Sequence, residues 1–357
     1  MIPKVYRDLF DLPGISGYEK EVRQYMKKEI EKYPEFEIVY DRLGSIFAYK
    51  KANVANAPTV MVAGHMDEVG LIVAKIEKNG MLRVQPIGGL VGDIFISQVL
   101  NIYTKDGVVK GIVGSIPPHI KTDHKAMFSD MILDIGATSY EEAKSFGVNL
   151  GDMVLYDNPF SYTKNKKRVI AKAIDNRFGC GLALESIAHF AKIDLPVNLY
   201  IGATVQEEVG LRGAETTVNL FKPDVFIALD ASPVNDAFDD KTMAKLGGGF
   251  LIRMYDPRNT MLQSLRDYFV DVATKNKISF QHFTSMGGTD AAKALDLNEG
   301  VLATTIGLPA RYIHSTAAMM DLDDLKEARR MLFTLLKTFN QEIIIKLKEQ
   351  TYEKKTK

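Results

Sequence analysis

Apolar residues along this chain follow two spacings. Around 59–64, 197–204, 224–229 and 301–307 they form short continuous runs, as in strands covered on both faces. Between these runs the spacing turns helical, over 178–190, 211–220 and 262–274. A single long closing helix is predicted over 325–347, with Leu332, Leu335, Leu336 and Phe339 on one face. Near the start, Val22, Tyr25, Met26 and Ile30 mark another helix, and Ser16-Gly17-Tyr18-Glu19 before it has the form of a capping box. Strand followed by helix, repeated, predicts an α/β fold: a three-layer α/β/α domain with a mostly parallel central sheet.

One stretch breaks the pattern. From 69 to 168 short alternating strands take over, with hairpin signals at Asn79-Gly80 and Asp106-Gly107 and one helical segment at 140–146. A β-rich, barrel-like unit inserted into the α/β domain accounts for this. Residues 1–68 and 169–357 then form one domain and 69–168 the other.

Composition narrows the function. Of 357 residues, 46% are hydrophobic and 25% charged, an ordinary globular balance. Lys+Arg and Asp+Glu both number 45, so the basic footprint of a nucleic-acid binder is missing. Cys180 is the single cysteine, which excludes an intramolecular disulfide and suits a reducing compartment. No apolar run approaches the ~20 residues that span a bilayer. The expectation is a cytoplasmic protein without membrane partners, and near-zero net charge favours a homo-oligomer.

The chemistry lies where the apolar runs end. Ligands of open α/β sheets bind beyond the carboxyl ends of the strands. His65 and Asp67, Asp175, Glu207 and Glu208, Asp230 and His314 all follow apolar runs or flank them. Clustered carboxylates repel unless a cation lies among them. Imidazole with carboxylate suits zinc, manganese or cobalt. Two such ions ~3.5–4 Å apart polarise a carbonyl and acidify water. Asp67, two residues after His65, shares its face and can orient the imidazole. Neighbouring Glu207 and Glu208 would point to opposite faces of a strand, so the backbone is expected to leave β geometry near Gly210. His119, His124, His189 and His282 fall in no such motif, and Cys180 reads as a small packing residue.

Gly64-His65-Met66-Asp67-Glu68-Val69-Gly70, Ala173-Ile174-Asp175-Asn176-Arg177, Val205-Gln206-Glu207-Glu208-Val209-Gly210, Leu229-Asp230, Gly287-Gly288-Thr289-Asp290 and Arg311-Tyr312-Ile313-His314-Ser315 together resemble the M42 metallo-aminopeptidases. That family includes glutamyl aminopeptidases and the tetrahedral TET peptidases. The resemblance runs through nearly the whole chain, insertion included. It implies that His65 and Asp230 bind one metal, Glu208 and His314 the other, and Asp175 both. Glu207 would be the general base and Asp67 the orienting carboxylate. It further implies two divalent ions per subunit, zinc or cobalt with manganese admissible, short peptide substrates, and a dodecamer of dimers joined through the insertion. Arg253, Arg311 and Gly288 are candidates for substrate contacts, the arginines for an acidic N-terminal residue. Met286 stands where some glutamyl-type members carry lysine, which leaves a broader preference open. Two rivals remain: a metal-independent glycosidase with paired carboxylates, and a non-catalytic assembly protein clipped by metal.

Overall fold

The computed structural model describes residues 1–117, 119–120 and 127–349; His124 and the lysine-rich tail at 354–357 lie outside the described residues. Four parallel strands form the centre of a 12-stranded sheet, in the order Asn198–Thr204, Thr59–His65, Val225–Pro233, Leu302–Arg311. Antiparallel strands flank this centre on both sides, so the sheet is mixed, with its parallel part in the middle. The central strands are almost entirely buried, which explains their continuous apolar runs.

Helices cover both faces. On one side Ile174–Phe190 lies against the strands of His65 and Asp230, within a core that includes Phe178, Leu229 and Ile306. On the other, Arg212–Phe221 and Asp290–Ala294 enclose a second core around Phe47, Met61 and Phe226. The closing segment is two helices, Leu322–Thr338 and Gln341–Glu349, rather than one. The chain turns extended at Phe339, and Asn340 Oδ1 accepts from Ile343 N, as a capping side chain does.

Six antiparallel strands between Gly70–Ile76 and Met153–Tyr156 close into a barrel around Leu71, Phe95, Leu100 and Leu133. Val99, Val108, Ile112, Ile116 and Met127 remain exposed on its outside. Among the described residues no helix is long and apolar enough to cross a membrane.

Candidate metal centre

Parallel register brings the site residues together. Thr204, the last residue of its strand, pairs with His65 at the end of the neighbouring one. Asp230 lies on the next strand, within Val225–Pro233. Ile174–Phe190 brings Asp175 to the same edge, and two glycines permit its approach. A Cβ on Gly64 would come within 2.5 Å of Gly179 C, and one on Gly179 within 2.4 Å of Leu229 O.

Three loops then depart from ordinary backbone at non-glycine residues. Ala173, Gln206 and His314 have φ of 52°, 53° and 55°. The backbone therefore leaves β geometry at Gln206, just past the strand end at Thr204 and four residues before the expected Gly210. That early break lets Glu207 and Glu208 face one cavity. Glu19 Oε1 accepts from Gln206 N and holds the break.

The imidazoles and carboxylates converge. His65 Nε2 lies 3.2 Å from Asp175 Oδ1, 3.7 Å from Asp230 Oδ1 and 3.9 Å from Glu207 Oε2. His314 Nε2 lies 3.4 Å from Asp175 Oδ2 and 3.3 Å from Glu208 Oε2. The two oxygens of Asp175 thus face different histidines. Ligand atoms of His65, Glu207 and Asp230 lie within 4.8 Å of one another, as do those of His65, Asp175 and Glu208. Asp175 Oδ1 and Glu208 Oε1 are buried without a hydrogen-bond partner among the described residues. Burying such atoms is costly unless a cation satisfies them, so the donor set fits divalent ions.

Charge crowding shifts the proton affinities of these side chains. Burial opposes protonation of His65, but Glu207, Asp175, Asp230 and Asp67 outweigh it and hold its pKa well above the imidazole range. Burial likewise works against His314, yet Asp175 and Glu208 raise it to about 11. Burial pushes Glu207 up, with Asp230, Glu208 and Asp290 adding to the rise against the pull of His65. Burial would raise Asp175 too, but His314 and His65 hold it below the usual carboxylate range. Divalent ions binding to these groups would displace the imidazole protons.

Asp67 is fully buried and ties the site to its scaffold. His65 Nδ1 lies 3.0 Å from the Asp67 carbonyl and 3.4 Å from its carboxylate. The same carboxylate accepts from Glu207 N and Glu208 N, both at 3.1 Å, and from Ser16 Oγ at 2.6 Å. Ser16 therefore caps no helix, contrary to the capping box its sequence context suggested; the helix Lys20–Ile30 starts after Glu19 with no side-chain cap. Below the loop, the wholly buried Arg177 donates to Met66 O, Leu9 O, Leu12 O and Gly14 O, and pairs with Glu68, which also holds Lys172. Removing one partner of this network would strand a buried charge.

A cavity of about 540 Å³ opens over these residues. Gly288 and Arg253 line it. Arg253 is committed to Asp256 at 3.4 Å, to Ser232 Oγ at 3.3 Å and to Gly287 O. Arg311 is not among the lining residues and forms a bidentate pair with Asp236, at 2.8 and 2.6 Å. Arg258, which no motif singled out, lines the cavity, and its guanidinium has no partner among the described residues. The signal was present in Asp256-Pro257-Arg258-Asn259, where Asp256 Oδ1 accepts from Arg258 N and Asn259 N and turns the arginine outward.

The sequence model of a family described as M42 glutamyl aminopeptidase matches residues 44–331. The chain is 39% identical to a glutamyl aminopeptidase of Lactococcus lactis, over 95% of this chain and 97% of the relative. It is 32% identical to a lysyl aminopeptidase of Pyrococcus furiosus, over 93% and 96%. Among solved structures it superposes on a TET aminopeptidase of a marine sediment Thaumarchaeota archaeon with a TM-score of 0.92 and 35% identity, covering 96% of this chain and 98% of that one. A structure described as the dodecamer of PhTET1-12s gives a TM-score of 0.85 and 28% identity, covering 95% and 100%.

Proposed function

Since the chain belongs to the M42 glutamyl aminopeptidase family, it is a peptide-bond hydrolase, and we propose that it removes N-terminal residues from short peptides with two divalent ions per subunit. The observation that carries this is Asp175, whose two oxygens face separate histidines at 3.2 and 3.4 Å. A carboxylate so placed could serve two ions. His65 and Asp230 would hold one, Glu208 and His314 the other. Zinc or cobalt suits this donor set, and manganese is chemically admissible.

Bound there, divalent ions would supply polarisation of the scissile carbonyl and acidification of water. Glu207 takes the proton of the attacking water and delivers it to the leaving amine nitrogen, as a C–O bond forms and the C–N bond breaks. Its burial among other carboxylates raises its affinity for that proton. Asp67 fixes the His65 ring and, through the two backbone N–H groups it accepts, aims both glutamates. Asp67, Asp175, Glu207, Glu208 and Asp230 carry one more negative charge than two divalent ions supply. That surplus suits the free ammonium of a peptide's N-terminus.

Arg258 gives the cavity a cation whose guanidinium has no partner among the described residues and supports a preference for acidic N-terminal residues. Arg253, held by Asp256, shapes the wall, and Gly288 lets the peptide backbone pass close. Residues 1–68 and 169–357 carry the chemistry, and 69–168 carry assembly. The exposed Val99, Val108, Ile112, Ile116 and Met127 form an apolar surface of the kind that pairs subunits. Six such dimers make a dodecamer. A buried free Cys180 suits the cytoplasm.

The test is a panel of aminoacyl-p-nitroanilides against chelator-stripped protein, before and after zinc or cobalt is restored. Activity should vanish and return, highest on glutamyl and aspartyl substrates. Silence across the panel with both ions bound would favour a purely structural metal site. Activity that survives stripping would exclude the ions from the reaction.

A further inference from the structure

Resting on the two-ion reading above, we infer that the carbonyl of Gly89, in the turn that leaves barrel strand Leu82–Ile87, is the positioning group for His314, so that the inserted barrel completes the second ion site. The two histidines are held in different ways. His65 is 2% exposed and its Nδ1 is fixed from within its own loop by Asp67. His314 is 36% exposed and comes from a loop in which Tyr312 and His314 itself have φ of 63° and 55°. Among the described residues its Nδ1 meets no carboxylate; it lies 2.9 Å from Gly89 O, 225 residues away in sequence.

A carbonyl can only accept, so Nδ1 carries the proton and Nε2 offers its lone pair to Asp175 and Glu208's side of the cavity. This is the arrangement by which an outer acceptor orients a metal-binding imidazole. The turn is shaped for close passage. Gly88 has φ +86°, and a Cβ there would meet Val69 Cγ1 at 2.6 Å and Glu208 Cβ at 3.4 Å. A Cβ on Gly89 would meet His314 Nδ1 at 3.3 Å, tight enough to push the ring aside by a few tenths of an ångström. The first site is therefore built within the sheet domain, and the second is closed by backbone from the barrel.

Zinc titration of the chelator-stripped, full-length protein with a competing chelator tests this without reference to turnover. Wild-type protein should take up two ions. Gly89→Ala should weaken one of them by roughly 10- to 100-fold and leave the other unchanged. Gly114→Ala is the control for a barrel substitution with room for its methyl group, whose nearest neighbour would be Ile132 O at 3.7 Å; both affinities should hold. In a His314→Ala background, Gly89→Ala should have no further effect. Equal weakening of both ions, no change in either, or a loss that persists without His314 would overturn the inference. One ion in the wild type would instead refute the two-ion reading. If Gly89→Ala does not fold, imidazole ¹⁵N spectra of wild type decide: a His314 Nδ1 proton protected from exchange is expected, and a freely exchanging one contradicts the role of Gly89.

Discussion

Glu207→Gln separates proton transfer from ion binding in one substitution. The amide keeps the shape of the side chain, which is 9% exposed, but cannot take up a proton at neutral pH. Removing a positioned acid–base group costs ~10²–10⁴ in rate, equivalent to about 3–5 kcal/mol in the barrier. Glu207 Oε2 is 3.9 Å from His65 Nε2, farther than Asp175 at 3.2 Å or Asp230 at 3.7 Å, so both ions should stay. Folding should not suffer. Burial, with Asp230, Glu208 and Asp290, raises the Glu207 pKa, so its ionisation works against the folded state as pH rises. A neutral amide removes that loss, and the metal-free variant should melt no lower than wild type at pH 8. Glutamyl-p-nitroanilide turnover and elemental analysis of the same sample read out both effects. A rate within tenfold of wild type with two ions bound would refute the proton-shuttle role. Departure of an ion along with the rate would make Glu207 a ligand instead.

Further outcomes follow from neighbouring contacts. Ser16→Ala removes the 2.6 Å bond to Asp67 and should weaken the ion on His65 by roughly tenfold, with little change at His314, as measured by competitive chelation. Arg258→Glu should lower kcat/KM for glutamyl substrates by about 100-fold or more, as for loss of a charge-paired contact, while lysyl substrates gain; an unchanged ratio would remove Arg258 from substrate selection. Asp324 is raised from 3.8 to about 7 by burial, against the two bonds it accepts from Gly247 N and Gly249 N. Its folded-state pKa lies above the unfolded one, so its contribution is full below pH 4 and is lost as pH rises through 7, by at most about 4 kcal/mol. Melting curves from pH 4 to 8 should slope less in Asp324→Asn than in wild type, whatever the absolute stability of the variant.

Which parts of this were legible in the sequence follows from what each residue answers to. The central strands were readable because burial on both faces demands continuous apolar runs, and their carboxyl ends carry His65, Glu207 and Asp230. Gln206 was not, because the left-handed turn falls on a residue that shows no preference for it, and Gly210 drew attention instead. Ser16 answered to two patterns at once: its spacing from Glu19 fits a capping box, yet its partner is Asp67, 51 residues away. The division of the closing helix at Phe339 left no mark on its hydrophobic periodicity, since Phe339 and Leu347 stay buried on either side of the break. Arg311 and Arg258 are indistinguishable as letters; the difference is that Asp236 grips the first and nothing among the described residues grips the second. Gly89 acts through a carbonyl, which every residue has, so nothing but the fold could reveal it.

The most direct measurement is anomalous diffraction at the absorption edge of the metal from crystals grown with zinc or cobalt. Two peaks ~3.5–4 Å apart are expected, one bonded to His65 and Asp230 and the other to Glu208 and His314, with an oxygen of Asp175 on each. A single peak, or ions seated on other residues, would contradict the account.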